Sequence, residues 1–211
     1  MQAGLQERFD AAFAALPLVA ILRGIKPDEV EAVALALYEE GFRIIEVPLN
    51  SPQALDSIGR LARCLPSDAV MGAGTVLSID AANKVQAAGG QLIVMPHADT
   101  RVIEHAKAQG LLCVPGATTP TEAFACVAAG ADAVKLFPAE LVTPQVLKAM
   151  RAVLPRELRL LPVGGIAPDT MGAFRQAGAS GFGLGGALYA PGFSAADVAT
   201  RARGFVKAWR G

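Results

Sequence analysis

Residues 33–50 read VALALYEEGFRIIEVPLN, and the fold is read outward from this stretch. Its first part continues an apolar face, with Val30, Val33, Leu37 and Tyr38 at helical spacing. Pro27-Asp28 supplies the start, since such residues cap exposed amides or fit the first turn. Gly41 supplies the end, because the chain just past a helix often turns left-handed. A strand over Arg43–Leu49 follows, with Ile44, Glu46 and Pro48 on one face and Ile45 and Val47 on the other.

The same succession recurs along the chain. Gly89 in AAGG, Gly110 in AQGL, Gly130 in AAGA and Gly178 in QAGA each end a helical segment. Two further helices close near Pro66 and Pro155, because proline cannot continue a helix. The other expected strands are Val19–Leu22, Ala69–Gly74, Gln91–Met95, Leu111–Val114, Ala133–Phe137, Arg159–Val163 and Gly181–Leu184. Helix starts are expected at Ser51-Pro52, Asp80, Thr100, Pro120-Thr121-Glu122, Thr143-Pro144 and Pro168-Asp169. Strands alternating with helices pair in parallel through crossovers. About eight such units in 211 residues fit an α/β fold of the compact (β/α)8 TIM-barrel kind. A doubly wound sheet would favour a glycine fingerprint after the first strand, and LRGIKPDE (22–29) is not one. Leu5, Phe9, Ala12 and Phe13 place an extra helix over residues 1–16, covering the barrel bottom. With no linker or composition break, one domain over 1–211 is expected.

Composition excludes several classes of function. The chain is 53% apolar and 18% charged, unlike a disordered chain. Nineteen basic residues balance nineteen acidic ones, so the electrostatic footprint of general nucleic-acid binding is missing. The apolar run Leu16–Leu22 contains Pro17 and stops at Arg23, far short of the about 20 residues that span a bilayer. Glu7, Arg8 and Asp10 fall where a signal peptide needs a basic start and then an apolar stretch. Cys64, Cys113 and Cys126 show no pairing motif, and a reduced cytoplasmic setting is expected.

In a barrel, reactive groups come from the C-terminal strand ends. The candidates there are Arg23, Glu46, Thr75, His97, Lys135 and the pairs Gly164-Gly165 and Gly185-Gly186. Lys135 and Phe137 share a strand face, while Val134 and Leu136 turn to the helices. Lys135 alone among the lysines interrupts an apolar strand. Burial favours its neutral amine, a nucleophile toward carbonyls; the alternative is a structural lysine paired with a carboxylate. Glu46 interrupts an apolar strand in the same way. It suits general acid–base work, or an ion pair with Lys135 or Arg23, and the two readings can coexist. Glycine pairs in VGGI and GLGGAL end the last two strands, where barrels often hold phosphate on backbone amides. Val163 shares parity with Leu161 and Gly165, which turns it inward. His97 and His105 are the only histidines, and they fall short of the ligand set of a catalytic zinc site. No metal and no cofactor are expected.

With these residues in place, the chain resembles the 2-keto-3-deoxy-6-phospho-sugar acid aldolases, the KDPG/KHG class I aldolase family. The resemblance runs from LPLVAILRG to GLGGALY. Its landmarks are AILRG with Arg23, IIEVPLNSP with Glu46, GAGTV with Thr75, IVMPH with Pro96, PGATTPTEAF, VKLFPAE with Lys135, PVGGI and GLGG. It implies that Lys135 forms the Schiff base and Glu46 shuttles protons. Arg23 and Thr75 would bind the oxo-acid end, with Pro96, Phe137 and Val163 lining the substrate, and Gly164, Gly165, Gly185 and Gly186 would hold the phosphate. Asn50 and Val163 match the family's phosphogalactonate branch, whereas the phosphogluconate branch typically has arginine and threonine there. Gly186 departs from that branch, which often carries serine.

The implied reaction cleaves 2-dehydro-3-deoxy-6-phosphogalactonate to pyruvate and D-glyceraldehyde 3-phosphate. The family also implies a homotrimer with small-molecule partners only, neither nucleic acid nor membrane. Within the family, the alternative is a phosphogluconate or dual-specificity aldolase. Outside it stand a phosphate-binding barrel isomerase or epimerase using Glu46 as base, and a non-enzymatic sugar-acid-binding barrel.

Overall fold

The structure, a computed structural model, describes residues 2–211, with side chains from Gly4 onward. Its strands are β1 (Leu18–Ile21), β2 (Ile44–Pro48), β3 (Val70–Gly74), β4 (Leu92–Val94), β5 (Leu112–Val114), β6 (Gly116–Ala117), β7 (Val134–Leu136), β8 (Leu160–Pro162) and β9 (Phe182–Leu184). Every pairing among them is parallel. One group runs in the order β5-β4-β3-β2-β1-β9 and the other β6-β7-β8. A parallel bridge between Val163 and Gly183 links the two groups. The result is a curled parallel α/β sheet of the TIM-barrel type.

The expected fifth strand ended at Val114, but the structure continues it past Pro115. Its first part pairs with β4, and its continuation, β6, pairs with β7. Proline has no N–H to give, yet the Pro115 carbonyl accepts the Lys135 N–H at 2.9 Å. The bend therefore hands the sheet from one neighbour to the next.

Strand alternation sorts the core into two shells. Ala20, Ile45, Val47, Val134 and Leu136 pack outward under the helices. Val19, Ile44, Val70, Leu92, Leu112 and Leu161 fill the interior together with Phe9, Ala12 and Phe13. Those last three belong to α1 (Gln2–Ala15), so the covering helix closes the bottom as expected; Met1 lies outside the described residues. An Asp10–Arg159 pair at 2.7 Å anchors α1, and the Arg159 guanidinium lies over the Phe9 and Phe13 rings. Arg8 Nη1 adds a 2.8 Å bond to the Ser67 carbonyl.

All five helix-ending glycines, Gly41, Gly89, Gly110, Gly130 and Gly178, take positive φ. The helices α2 (Pro27–Glu39), α5 (Thr100–Ala108), α6 (Pro120–Ala128) and α7 (Pro144–Arg151) begin where expected, α4 (Ile79–Ala87) begins one residue before Asp80, and Thr119 and Glu122 form a capping box for α6. The helix α3 (Ala54–Cys64) starts later than Ser51-Pro52, after Gln53 at φ +46°. Ser51 Oγ instead accepts the Gly24 N–H at 2.9 Å, tying together the loops after β1 and β2. The helix α8 (Met171–Gln176) starts after Pro168-Asp169, because Thr170 Oγ1 folds back onto the Ala167 carbonyl at 2.9 Å. Tyr38 leaves the apolar face of α2: its hydroxyl donates to Asp68, and the Arg43 guanidinium stacks 3.6 Å from its ring centroid. The helix after the last strand, α9 (Ala195–Arg210), has no start assigned from the sequence; it buries Val198, Ala202, Phe205 and Val206 and pairs with α2 through Arg203 and Glu40.

Candidate active site

Glu46 and Lys135 enter the sheet interior from β2 and β7, each on the inward parity of its strand. Both are buried, Glu46 to 1% exposure and Lys135 to 5%. Burial pushes the Glu46 carboxyl up to about 7, against the pull of Lys135, Arg23 and the Gly74 amide. Burial likewise lowers the Lys135 amine, which Glu46 raises and Arg23 lowers further. Neither the Lys135 amine nor the Arg23 guanidinium comes within 4.0 Å of the Glu46 carboxylate, and Glu46 Oε2 has no hydrogen-bond partner among the described residues. The purely ion-pair role for Glu46 therefore finds no contact. The Phe137 ring covers Lys135, its centroid 4.5 Å from Nζ.

The space for Glu46 is made by its neighbour on β3. A Cβ on Gly74 would collide with both carboxylate oxygens. Glycine is required there because the carboxylate lies directly against the backbone. The sequence shows Gly74 as a strand end inside GAGTV and gives no sign of this role.

Above Lys135 opens a cleft of about 340 Å³. Arg23, Lys135, Phe137, Val163, Gly164, Gly165, Gly185 and Gly186 line it, and Ile166, Ala167 and Ala187 join them. Glu46 instead borders a second, inner cavity of about 20 Å³, which Lys135 and Val163 also line and whose walls are apolar atoms. Lys135 thus opens to both spaces. Thr75, at φ +55°, and Pro96 follow β3 and β4 and are not among the cleft's lining residues. Arg23 is aimed by a residue the sequence marked only as a branch signature: its Nη1 donates to Asn50 Oδ1 at 2.7 Å.

The two glycine pairs differ in what demands them. Gly164 and Gly165 take φ of +115° and +60°, and the Glu140 carboxylate lies against both. Gly185 and Gly186 have no positive φ, and an added Cβ would meet nothing within 4 Å. The packing of the chain does not explain glycine there, whereas close approach of a ligand to the backbone does. The Gly186 and Ala187 N–H groups have no hydrogen-bond partner among the described residues.

His97 is exposed beyond β4, and His105, on α5, contacts Asn83 at 2.7 Å. Among the described residues no group of three or more His, Cys, Asp or Glu side chains could hold a metal ion. No described helix is long and apolar enough to cross a membrane.

A curled parallel α/β sheet with an amine and a carboxylate buried at one end has the layout of a TIM-barrel-type enzyme. The comparisons give the family: the model described as KDPG and KHG aldolase matches residues 9–202. The chain belongs to that aldolase family. It is 45% identical over 186 residues to the "Probable 2-dehydro-3-deoxy-6-phosphogalactonate aldolase" of Rhizobium meliloti (strain 1021), covering 88% of each chain. It is 44% identical to the 2-dehydro-3-deoxy-6-phosphogalactonate aldolase of Escherichia coli (strain K12), covering 92% of this chain and 95% of that one. A solved structure titled "Native KDPGal structure" superimposes with a TM-score of 0.90 at 44% identity, covering 92% and 95% of the two chains.

Proposed function

We propose that the chain is a class I aldolase cleaving 2-dehydro-3-deoxy-6-phosphogalactonate to pyruvate and D-glyceraldehyde 3-phosphate. One observation carries the mechanism: Lys135 is buried, its amine is lowered by that burial, and it still opens onto the cleft. A neutral amine in reach of a substrate carbonyl is the requirement for Schiff-base catalysis. The names of the relatives above support the substrate.

Lys135 Nζ attacks the C2 carbonyl, and loss of water leaves a protonated imine. Glu46 takes the proton of the C4 hydroxyl; the C3–C4 bond breaks, and its electrons move into the imine to form an enamine. The aldehyde product leaves, Glu46 returns the proton to C3, and hydrolysis frees pyruvate and Lys135. A carboxyl near 7 suits both halves of that proton transfer. Arg23 binds the carboxylate end and Phe137 packs on the pyruvyl part; Thr75 and Pro96, which the family resemblance adds here, stand outside the cleft's lining. Gly164, Gly165, Gly185 and Gly186 receive the phosphate on backbone amides, a use favoured by the open space over Gly185 and Gly186. No step calls on a metal or organic cofactor.

The same reading treats the sheet as a complete (β/α)8 barrel in one domain, an interpretation supported by the Val163–Gly183 bridge and by the strand that continues past Pro115. It places the enzyme in the cytoplasm as a homotrimer, on the strength of the family resemblance. Borohydride reduction in the presence of pyruvate, followed by peptide mass spectrometry, tests the chemistry. The expected product is a reduced pyruvyl adduct on Lys135; an unmodified lysine overturns the class I assignment.

A further inference from the structure

We infer that Arg201 of α9 is a positioning residue for the phosphate turn, the far end of a relay of hydrogen bonds that aims and strengthens the Gly186 N–H. The inference rests on the reading of Gly185 and Gly186 as phosphate-binding positions and adds to it a side chain outside the cleft's lining.

The turn after β9 carries the argument. Gly185, Gly186 and Ala187 line the cleft. With glycine at 186 and alanine at 187, the turn offers an anion no side-chain donor, so binding there depends on how its amides are held. Arg201 Nη1 donates to the Ala187 carbonyl at 3.2 Å. The other end of that peptide, the Leu188 N–H, donates to the Gly185 carbonyl at 2.8 Å, and the Tyr189 N–H reaches the same carbonyl at 3.0 Å. The other end of the Gly185 peptide is the Gly186 N–H, which has no partner among the described residues. Two peptide planes thus link the guanidinium to an unpartnered donor.

Both peptides are trans, and a planar trans peptide points its N–H and its C=O in opposite directions. Fixing the Gly185 carbonyl therefore fixes the Gly186 N–H, aimed away from the Leu188 and Tyr189 amides. Each accepted bond also polarises its own peptide, so a chain of them strengthens the last donor. Here the chain begins at a cation, whose hydrogen bonds are roughly twice as strong as neutral ones. Arg201 is itself held in place, its guanidinium 4.3 Å from the centroid of the Phe193 ring just before α9. Arg203, two residues on, turns to α2 instead and pairs with Glu40.

The test compares wild type with Arg201→Met, which keeps an apolar chain against Phe193 and removes the donor and the charge. The probe is inorganic phosphate, measured as a competitive inhibitor of sugar-acid cleavage. Alongside it run KM, kcat and the rate of borohydride trapping with pyruvate, which carries no phosphate. Arg201→Met should raise the phosphate inhibition constant and KM for the sugar acid about five-fold each, with kcat and pyruvate trapping within about two-fold of wild type. Arg203→Met, which takes a cation from the same helix, should leave both constants in place. If Arg201→Met does not fold, Arg201→Gln should show a smaller rise in the same two constants. Folded Arg201 variants with wild-type constants overturn the inference, as does an equal rise in Arg203→Met or an equal loss of pyruvate trapping. A wild-type enzyme that phosphate does not inhibit overturns the phosphate reading of the turn and this inference with it, whereas normal inhibition of wild type with unmoved constants in Arg201→Met overturns this inference alone.

Discussion

Arg23 Nη1 donates to Asn50 Oδ1 across 2.7 Å, so the residue after β1 is aimed by one just past β2. Both side chains are exposed, and among the described residues this is the one hydrogen bond of the guanidinium, while the Gly24 N–H to Ser51 ties the two loops together. Asn50→Ala should therefore raise KM for the sugar acid and change kcat little. A single hydrogen bond of about 1 kcal/mol corresponds to about five-fold in kcat/KM. Steady-state kinetics on the two proteins check this.

Gly74→Ala forces a methyl group into the space held by the Glu46 carboxylate. Overpacking of this kind costs about 1–3 kcal/mol, and misplacing a reacting group by about 1 Å costs about 100-fold in rate. The expected variant folds with a lowered urea midpoint and loses about 100-fold in kcat. It should still form the Lys135 adduct, because the lysine is untouched.

Glu46→Gln keeps the shape and removes the proton transfer. General acid–base groups contribute about 10²–10⁴-fold, so turnover should fall on that scale. Borohydride trapping with pyruvate should persist in part, which separates lost proton transfer from a lost nucleophile. Wild-type turnover in this variant would leave Glu46 without a role in the chemistry.

The same variant reports on stability. Glu46 rises from 4.5 to about 7 on folding, so the native state binds the proton more tightly than the unfolded chain. Between those values the native state carries the extra proton, and the slope of stability with pH from this group is negative. Its contribution is fully present below 4.5 and lost as pH climbs to about 7. Urea midpoints at several pH values should show wild type losing stability relative to Glu46→Gln across that window, then running parallel above it.

Val163 stands where cleft and inner cavity meet, with 7% exposure and no hydrogen-bonding side chain. Val163→Thr adds a hydroxyl in the same shape. Sites that hydrogen-bond a substrate hydroxyl discriminate more sharply than sites offering a methyl group. The ratio of kcat/KM for the galactonate- and gluconate-configured substrates should move about ten-fold toward the gluconate form, the equivalent of about 1.4 kcal/mol. Strong wild-type preference for the gluconate epimer would remove the branch assignment and leave the aldolase chemistry standing.

What could be read from the sequence was what depends on local rules. Gly41 and its four counterparts announced helix ends because positive φ is a property of one residue and its neighbours. Lys135 and Glu46 stood out because a charge inside an apolar strand breaks a short periodic pattern. Ser51 was misread because its hydroxyl serves a distant amide, Gly24, rather than the helix that follows it. Tyr38 looked apolar until Arg43 and Asp68 met it from the next strand and loop. The room Gly74 makes for Glu46, the depth of Phe9 and the grip of Asn50 on Arg23 are contacts across strands. No periodicity announces them, because each depends on which element lies alongside.

The closure of the sheet ties together regions far apart in the chain. Leu18 pairs with Phe182, Glu40 with Arg203, and Asp10 with Arg159. None of these contacts can form until most of the chain is available, so they bear the full loop-closure entropy before they return any stabilisation. Folding is therefore expected to be slow relative to a helical bundle of equal length. The burial that lowers the Lys135 amine therefore depends on segments of the chain that lie far from it in sequence.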